Sequence, residues 1–201
     1  MNHSKKLVSV FLLSAMVASS FAASTKFTVG GGRASQQLAQ VESAADFETF
    51  TGRTDKVTGE INFDPATKAL NGKISVQVSG IATGIDLRDE HMRSAGWLDA
   101  EKFPTISFET TGAKWIKGND YRVSGKFTMK GVTKTISVVA TVKHSAASDA
   151  TKQAGFKGSV LQVKTKFEVK LSDYNVIIPA AGKGKVAEKV TIMLTTYGQS
   201  G

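Results

Sequence analysis

From about residue 55 onward, apolar residues recur at every second position. Val57, Ile61 and Phe63 alternate with Glu60 and Asn62, and Asp64-Pro65-Ala66-Thr67 then reads as a turn. Ile74, Val76 and Val78 follow, set against Ser75, Gln77 and Ser79. Ile106 and Phe108 alternate with Ser107 and Glu109. Tyr121, Val123, Phe127 and Met129 share one parity, and so do Ile136, Val138, Ala140 and Val142. Val163, Phe167, Val169 and Leu171 alternate with lysines and Glu168, and Val190, Ile192 and Leu194 close the series. Each segment is a strand with one dry face and one wet face. Strands buried on both faces would read as continuous apolar runs. Seven strong strands, with weaker ones at 26–30 and 40–50, predict eight or nine in total. Their regular spacing predicts a sandwich or a closed barrel.

One stretch departs from this pattern. Residues 86–102 carry helix formers, early acids and no alternation, which predicts a short helix over 87–94 and a turn around 99–102. Phe103-Pro104 ends it, because the residue before a proline avoids the helical region. A helical insertion between two strands of a barrel serves as a plug or lid. Gly30-Gly31-Gly32 lacks a strand-to-helix setting and reads as a joint, not a phosphate loop. No repeat or linker divides the chain.

The N-terminus changes the picture of where this barrel works. Lys5 and Lys6 precede an uncharged run from Leu7 to Phe21, and small residues follow at Ala22, Ala23 and Ser24. This is the plan of a cleaved signal peptide over 1–22, cut after Ala22 with Ala23 as the alternative. The apolar run of about 15 residues falls short of the roughly 20 that span a bilayer. Residues 23–201 then form one domain, expected in the periplasm or secreted, without stable membrane insertion. Cysteine is absent, which excludes disulfides, thiol chemistry and lipidation at cysteine.

The whole chain carries +9; without Lys5 and Lys6, 24 basic side chains face 17 acidic ones, a net of +7. The lysines are scattered and not interleaved with aromatics, so nucleic acid is not the expected partner. A solvated surface, or transient contact with anionic lipid headgroups, fits better. A homodimer is left open.

Candidate chemistry is sparse. His91 lies among Arg88, Asp89, Glu90 and Arg93, but no serine sits in a nucleophile-elbow setting and His144 is not at metal-ligand spacing. The bland account is a His that fixes the helix by hydrogen bonds, with Arg88 and Arg93 pairing to Asp89 and Glu90 within it. The functional account makes Arg88, His91 and Arg93 contacts for a ligand's head end, since guanidinium holds phosphate or carboxylate in a fork. The acids of 86–101 face solvent more readily than they form a hydrolase pair. No catalytic residue, metal or required cofactor is expected. The apolar parity and the insert define the expected lumen and lid: Phe63, Ile74, Val76, Val78, Met92, Trp97, Phe103, Ile106, Phe108, Thr110, Tyr121, Val123, Phe127, Met129, Ile136, Val138, Phe167, Val169, Ile192 and Leu194. An eight-stranded barrel is either filled by such side chains or holds one ligand, and alternation alone does not choose.

Three blocks in order resemble the YceI-like family. They are Thr83-Gly84-Ile85-Asp86-Leu87-Arg88-Asp89-Glu90-His91-Met92-Arg93-Ser94 with Trp97-Leu98-Asp99-Ala100-Glu101-Lys102-Phe103-Pro104-Thr105-Ile106-Ser107-Phe108; Gly125-Lys126-Phe127-Thr128-Met129-Lys130-Gly131-Val132-Thr133-Lys134; and Phe167-Glu168-Val169-Lys170-Leu171-Ser172-Asp173-Tyr174-Asn175-Val176. The resemblance spans roughly residues 50–197. It implies an all-β, extended lipocalin-like antiparallel β-barrel of about eight strands with the helical insertion near 87–102. It further implies a non-enzymatic carrier of a long apolar chain, such as a polyisoprenoid, isoprenoid quinone or fatty amide. Many members open with a Tyr-x-Ile-Asp-x-x-His-Ser-like strand; here Lys26-Phe27-Thr28-Val29, a glycine run and Val41-Glu42-Ser43-Ala44 stand instead. A barrel filled by its own side chains, acting through its basic surface, is the alternative. An enzyme acting on an isoprenoid through His91 is the remoter one.

Overall fold

The computed structural model describes residues 24–30 and 37–201, so the signal segment, its cleavage point and Gly31-Gly32 lie outside the described residues. Ten strands form one antiparallel sheet: β1 Thr25–Val29, β2 Leu38–Ala44, β3 Thr49–Thr54, β4 Val57–Phe63, β5 Leu70–Gln77, β6 Thr105–Lys117, β7 Asp120–Met129, β8 Val132–Ser145, β9 Val160–Lys170 and β10 Lys189–Gln199. Eight of them close a ring in the order β1-β4-β5-β6-β7-β8-β9-β10, sealed where Thr28 and Val29 face Gln199 and Gly198. The other two are a hairpin continuing the seam. β2 pairs with β10 from Thr191↔Glu42 to Thr195↔Leu38, β3 pairs with β2, and a bridge joins Arg53 to Ala82. The expected segment 40–50 therefore resolves into β2, a turn and the start of β3.

The alternation lies where the sequence places it. β7 buries Tyr121, Val123, Gly125, Phe127 and Met129 and turns Arg122 and Lys126 outward. The insertion forms helix α1, Asp86–Arg93, and Phe103 N–H donates to Asp99 C=O at 2.7 Å in the turn after it. A second helix, α2 Asp149–Gln153, was not anticipated. Ser148 and Thr151 form a reciprocal capping box at its start.

Strand direction separates the two ends of the barrel. β5, β7 and β9 rise to the end that carries α1, the turn Lys130-Gly131 and the long β9–β10 loop. The opposite end holds the β4–β5 and β6–β7 turns and α2. Buried residues fall into two clusters accordingly. The lower one centres on Phe27, Phe63, Tyr121 and Leu161, and the upper one on Phe127, Met129, Tyr174, Val176 and Val190.

Candidate functional site: an apolar cavity under a helical lid

A cavity of about 780 Å³ occupies the barrel between these clusters and opens toward α1. That volume lies within the usual range for ligand pockets, about 300–1,000 Å³. Its walls come from the inward parity of the strands. Fourteen of the twenty expected lumen and lid residues line it: Ile74, Val76, Met92, Trp97, Ile106, Phe108, Thr110, Val123, Phe127, Met129, Val138, Phe167, Ile192 and Leu194.

Six do not, for three physical reasons. Phe63 and Tyr121 pack edge to face at 6.3 Å, and the rings of Phe27 and Phe63 close on His144 at 5.8 and 5.9 Å. These rings pack on one another toward the lower end and leave the cavity wall to their neighbours Ile61 and Leu70. Ile136 packs against both clusters, and Val169 is covered within the upper one. Val78 is buried in a 3-10 turn, Val78–Gly80, and Phe103 lies outside the mouth against Gly131. Gly131 has φ +75°, and a Cβ there would meet the Phe103 ring at 2.6 Å.

Parity also overlooked part of the lining. Val176, Pro179 and Val186 come from the β9–β10 loop, and Ser43, Glu48 and Phe50 from the β2–β3 hairpin, while Leu171, which continues the β9 parity, lines it too. Loop residues carry no period, so alternation has no means of flagging them. One signal was available: Val176 stands within the third block quoted for the family resemblance.

Three segments form the lid. The Trp97 ring lies over Gly182, where a Cβ would sit 3.5 Å from it, and so links the insertion to the β9–β10 loop. Tyr174 packs edge-on to Phe127 at 5.3 Å, and Phe127 does the same to Phe167 at 5.7 Å. Burial, then the nearby Asp173 charge, pushes the Tyr174 hydroxyl above its ordinary pKa; burial alone does so for Tyr121. Asp89 anchors α1 from beneath, accepting from Thr83 N–H at 2.8 Å and Thr83 Oγ1 at 2.6 Å.

The charged residues of α1 are arranged otherwise than expected. Arg88 pairs with Glu48 of the hairpin, 40 positions away, and not with an acid of its own helix. Its guanidinium also lies 4.4 Å above the Phe50 ring. Arg93 donates to Ile81 C=O at 2.9 Å, while its Nε is buried without a hydrogen-bond partner among the described residues. Arg93 does not line the cavity; Arg88 and His91 do. His91 is exposed, and among the described residues its side chain makes no hydrogen bond, so it does not pin the helix.

Comparisons with known proteins agree with this geometry. Residues 23–197 match the model of the YceI-like domain. Protein YceI of Salmonella arizonae is 25% identical over 190 residues, covering 88% of this chain and 93% of that one. Burkholderia cenocepacia BcnA superposes with a TM-score of 0.68 at 22% identity, over 80% of this chain and 95% of that one. A protein described as a polyisoprenoid binding domain from Saccharophagus degradans, implicated in plant cell wall breakdown, gives 0.64 at 14% identity, over 89% and 99%. Family model, curated relative and shared fold converge, and the chain belongs to the YceI-like family.

Proposed function

We propose that this protein binds a long apolar lipid chain in the barrel lumen and sequesters or ferries it in the periplasm. The observation that carries this reading is the cavity of about 780 Å³ with its mainly apolar wall. A barrel filled by its own side chains would leave no such space, so that alternative loses support. The polyisoprenoid binding described for the Saccharophagus degradans neighbour favours the same class of ligand.

The energetics suit such a ligand. Each methylene removed from water contributes about 0.8 kcal/mol, so about ten contribute roughly 8 kcal/mol. That exceeds the ordering cost of a flexible chain by enough to bind usefully. In this reading the apolar chain, a polyisoprenoid, an isoprenoid quinone or a fatty amide, lies along Phe108, Phe127, Val138 and Phe167. Met92 and Trp97 close over it, Thr110 offers a hydroxyl, and Arg88 and His91 stand where a polar head would leave the lumen. Arg93, turned to Ile81, has no part in this. The reading is binding, not catalysis. His91, the candidate base, has neither carboxylate nor nucleophile bonded to it among the described residues.

The test is native mass spectrometry and organic extraction of protein purified from its own host. A stoichiometric isoprenoid, quinone or fatty amide is expected. Repeated extraction without lipid would refute the proposal. Val138→Phe and Phe127→Trp, which fill the lumen, are expected to reduce copurified lipid while the melting curve stays cooperative.

A further inference from the structure

Charge is distributed unevenly around the barrel. Strands β1–β5 carry three bases and two acids, whereas β7–β10, four consecutive neighbours in the ring, carry eight bases and two acids. On the first side charges are matched across strands: Lys26 pairs with Glu60, and Lys73 with Glu109. On the β7–β10 wall Lys134 has a partner, Asp173. The other seven bases are exposed and make no ion pair among the described residues. The register even sets like charges side by side. Lys170 faces Lys189, and at the edge of the wall Arg122 faces Lys114 of β6. Like charges directly opposite one another destabilise a sheet. Of the two acids, Asp120 already accepts from Thr141 Oγ1 at 2.8 Å. A surface that serves solubility alone intersperses both signs, and this wall does not.

We propose that the outer wall of β7–β10 is a docking face for an anionic bilayer, which holds the barrel on its side against the phosphate headgroups. None of the eight bases lines the cavity, so docking stands or falls apart from the lipid-binding reading. Shape and chemistry favour this occupant. Lys164 and Lys170 lie about 20 Å apart along β9, and the four strands are about 14 Å across. Charges spread in two dimensions match an array of headgroups, whereas a linear polyanion is tracked by a stripe. The rings of β7 and β9, Tyr121, Phe127 and Phe167, belong to the interior, so none is turned outward for a base to stack on. Lysine is a hydrated point charge on a flexible stem, suited to mobile phosphates. Val139, half-exposed, is the one large apolar side chain that the wall exposes among the described residues. The contact is therefore adsorption at headgroup level, not insertion. The mouth is turned away by its own charge. Residues 45–48, 86–93 and 171–188 together carry seven acids and four bases. An anionic surface thus attracts the wall and not the mouth, which lays the barrel axis along the bilayer.

The test uses protein purified from its own host, with vesicles of phosphatidylethanolamine and phosphatidylglycerol and with vesicles of phosphatidylcholine alone. Wild type is expected to cosediment with the anionic vesicles only, and to be released as salt rises. Lys164→Gln, Lys166→Gln and Lys170→Gln together remove three charges from the middle of the wall. At about fivefold for each lysine near the surface, binding is expected to weaken about a hundredfold. Arg122→Gln with Lys143→Gln repeats the test on β7 and β8 without touching β9, and about 25-fold is expected. The control removes as many charges as the triple from the matched side: Lys26→Gln, Lys56→Gln and Lys73→Gln, whose lysines already pair with Glu60, Asp55 and Glu109. It is expected to bind within about threefold of wild type. Circular dichroism melts are expected to stay cooperative for all of them.

A wild type that ignores anionic vesicles, or binds phosphatidylcholine equally, overturns the proposal. Wall and control triples that weaken binding alike also overturn it, because net charge and not the wall would then be responsible. Retention by polyphosphate without vesicle binding assigns the wall to a linear polyanion and overturns the bilayer as occupant.

Discussion

Truncating Phe63 to alanine asks whether the barrel is solid below the cavity. Phe63 is 3% exposed, with Tyr121 edge-on at 6.3 Å and His144 at 5.9 Å. Removing a buried phenyl ring costs about 3–5 kcal/mol, because the lost transfer energy is joined by a void that rigid neighbours cannot close. In a domain of this size each kcal/mol lowers Tm by about 2–4 °C, which gives a fall of roughly 6–20 °C. Phe167 is the matched control. It is half-buried and already borders the cavity, so Phe167→Ala encloses no new void. About 1–2 kcal/mol, or roughly 2–8 °C, is expected for it. Circular dichroism melts of delipidated protein, with urea titrations for ΔG, give both numbers. Equal costs for the two variants would refute the division into a packed end and a hollow middle. A Phe63→Ala fall below about 2 °C would do the same.

Other expectations follow from particular contacts. Asp64 closes the β4–β5 turn by accepting from Thr67 Oγ1, Ala66 N–H and Thr67 N–H, bonds that hold its pKa below the usual 3.8. A lowered folded-state value stabilises above the unfolded pKa and is lost as pH falls through the folded one. Asp64→Asn should therefore be less stable than wild type at pH 7, and the two melting curves should converge as pH falls below 3.8 and through the lowered folded-state value. Tyr121 and Tyr174 have raised values, so their contribution is intact below pH 10 and fades as pH rises through the folded values. Alkaline unfolding followed by fluorescence should accordingly start above pH 10, and Tyr174→Phe should delay it. At Gly125 a Cβ would lie 2.4 Å from the Phe108 ring and 2.5 Å from Glu109 C=O. Gly125→Ala should force that ring to shift, lowering Tm and changing the amount of lipid recovered.

Much of the frame was readable because burial on one face writes itself as alternation. The strands from Val57 onward show it, as does the break at residues 86–102. The short seam was harder. β1 offers only Phe27 and Val29 as inward residues, and β2 mixes Ala39, Val41 and Ser43, which do not contrast with their neighbours. The cavity itself was beyond the reach of parity. Phe63 and Phe127 point inward alike, yet one plugs the barrel and the other lines the hollow. What separates them is height along the axis, which depends on where every strand begins and ends. Pairing on α1 failed for a related reason. Asp89 has the right spacing for Arg93 but is occupied by Thr83, and Arg88 finds Glu48 through the fold.

The seam bears on how the molecule forms. Val29 faces Gly198, so the ring is sealed by a contact between nearly opposite ends of the described chain. Meanders such as β6–β7–β8 join neighbours in sequence and can assemble early, whereas this closure must wait for the largest loss of chain entropy. The sheet from β4 to β10 is then an open, curved layer until its edges meet. Its inward face stays accessible for that interval, so the hollow exists as a trough before it becomes a chamber.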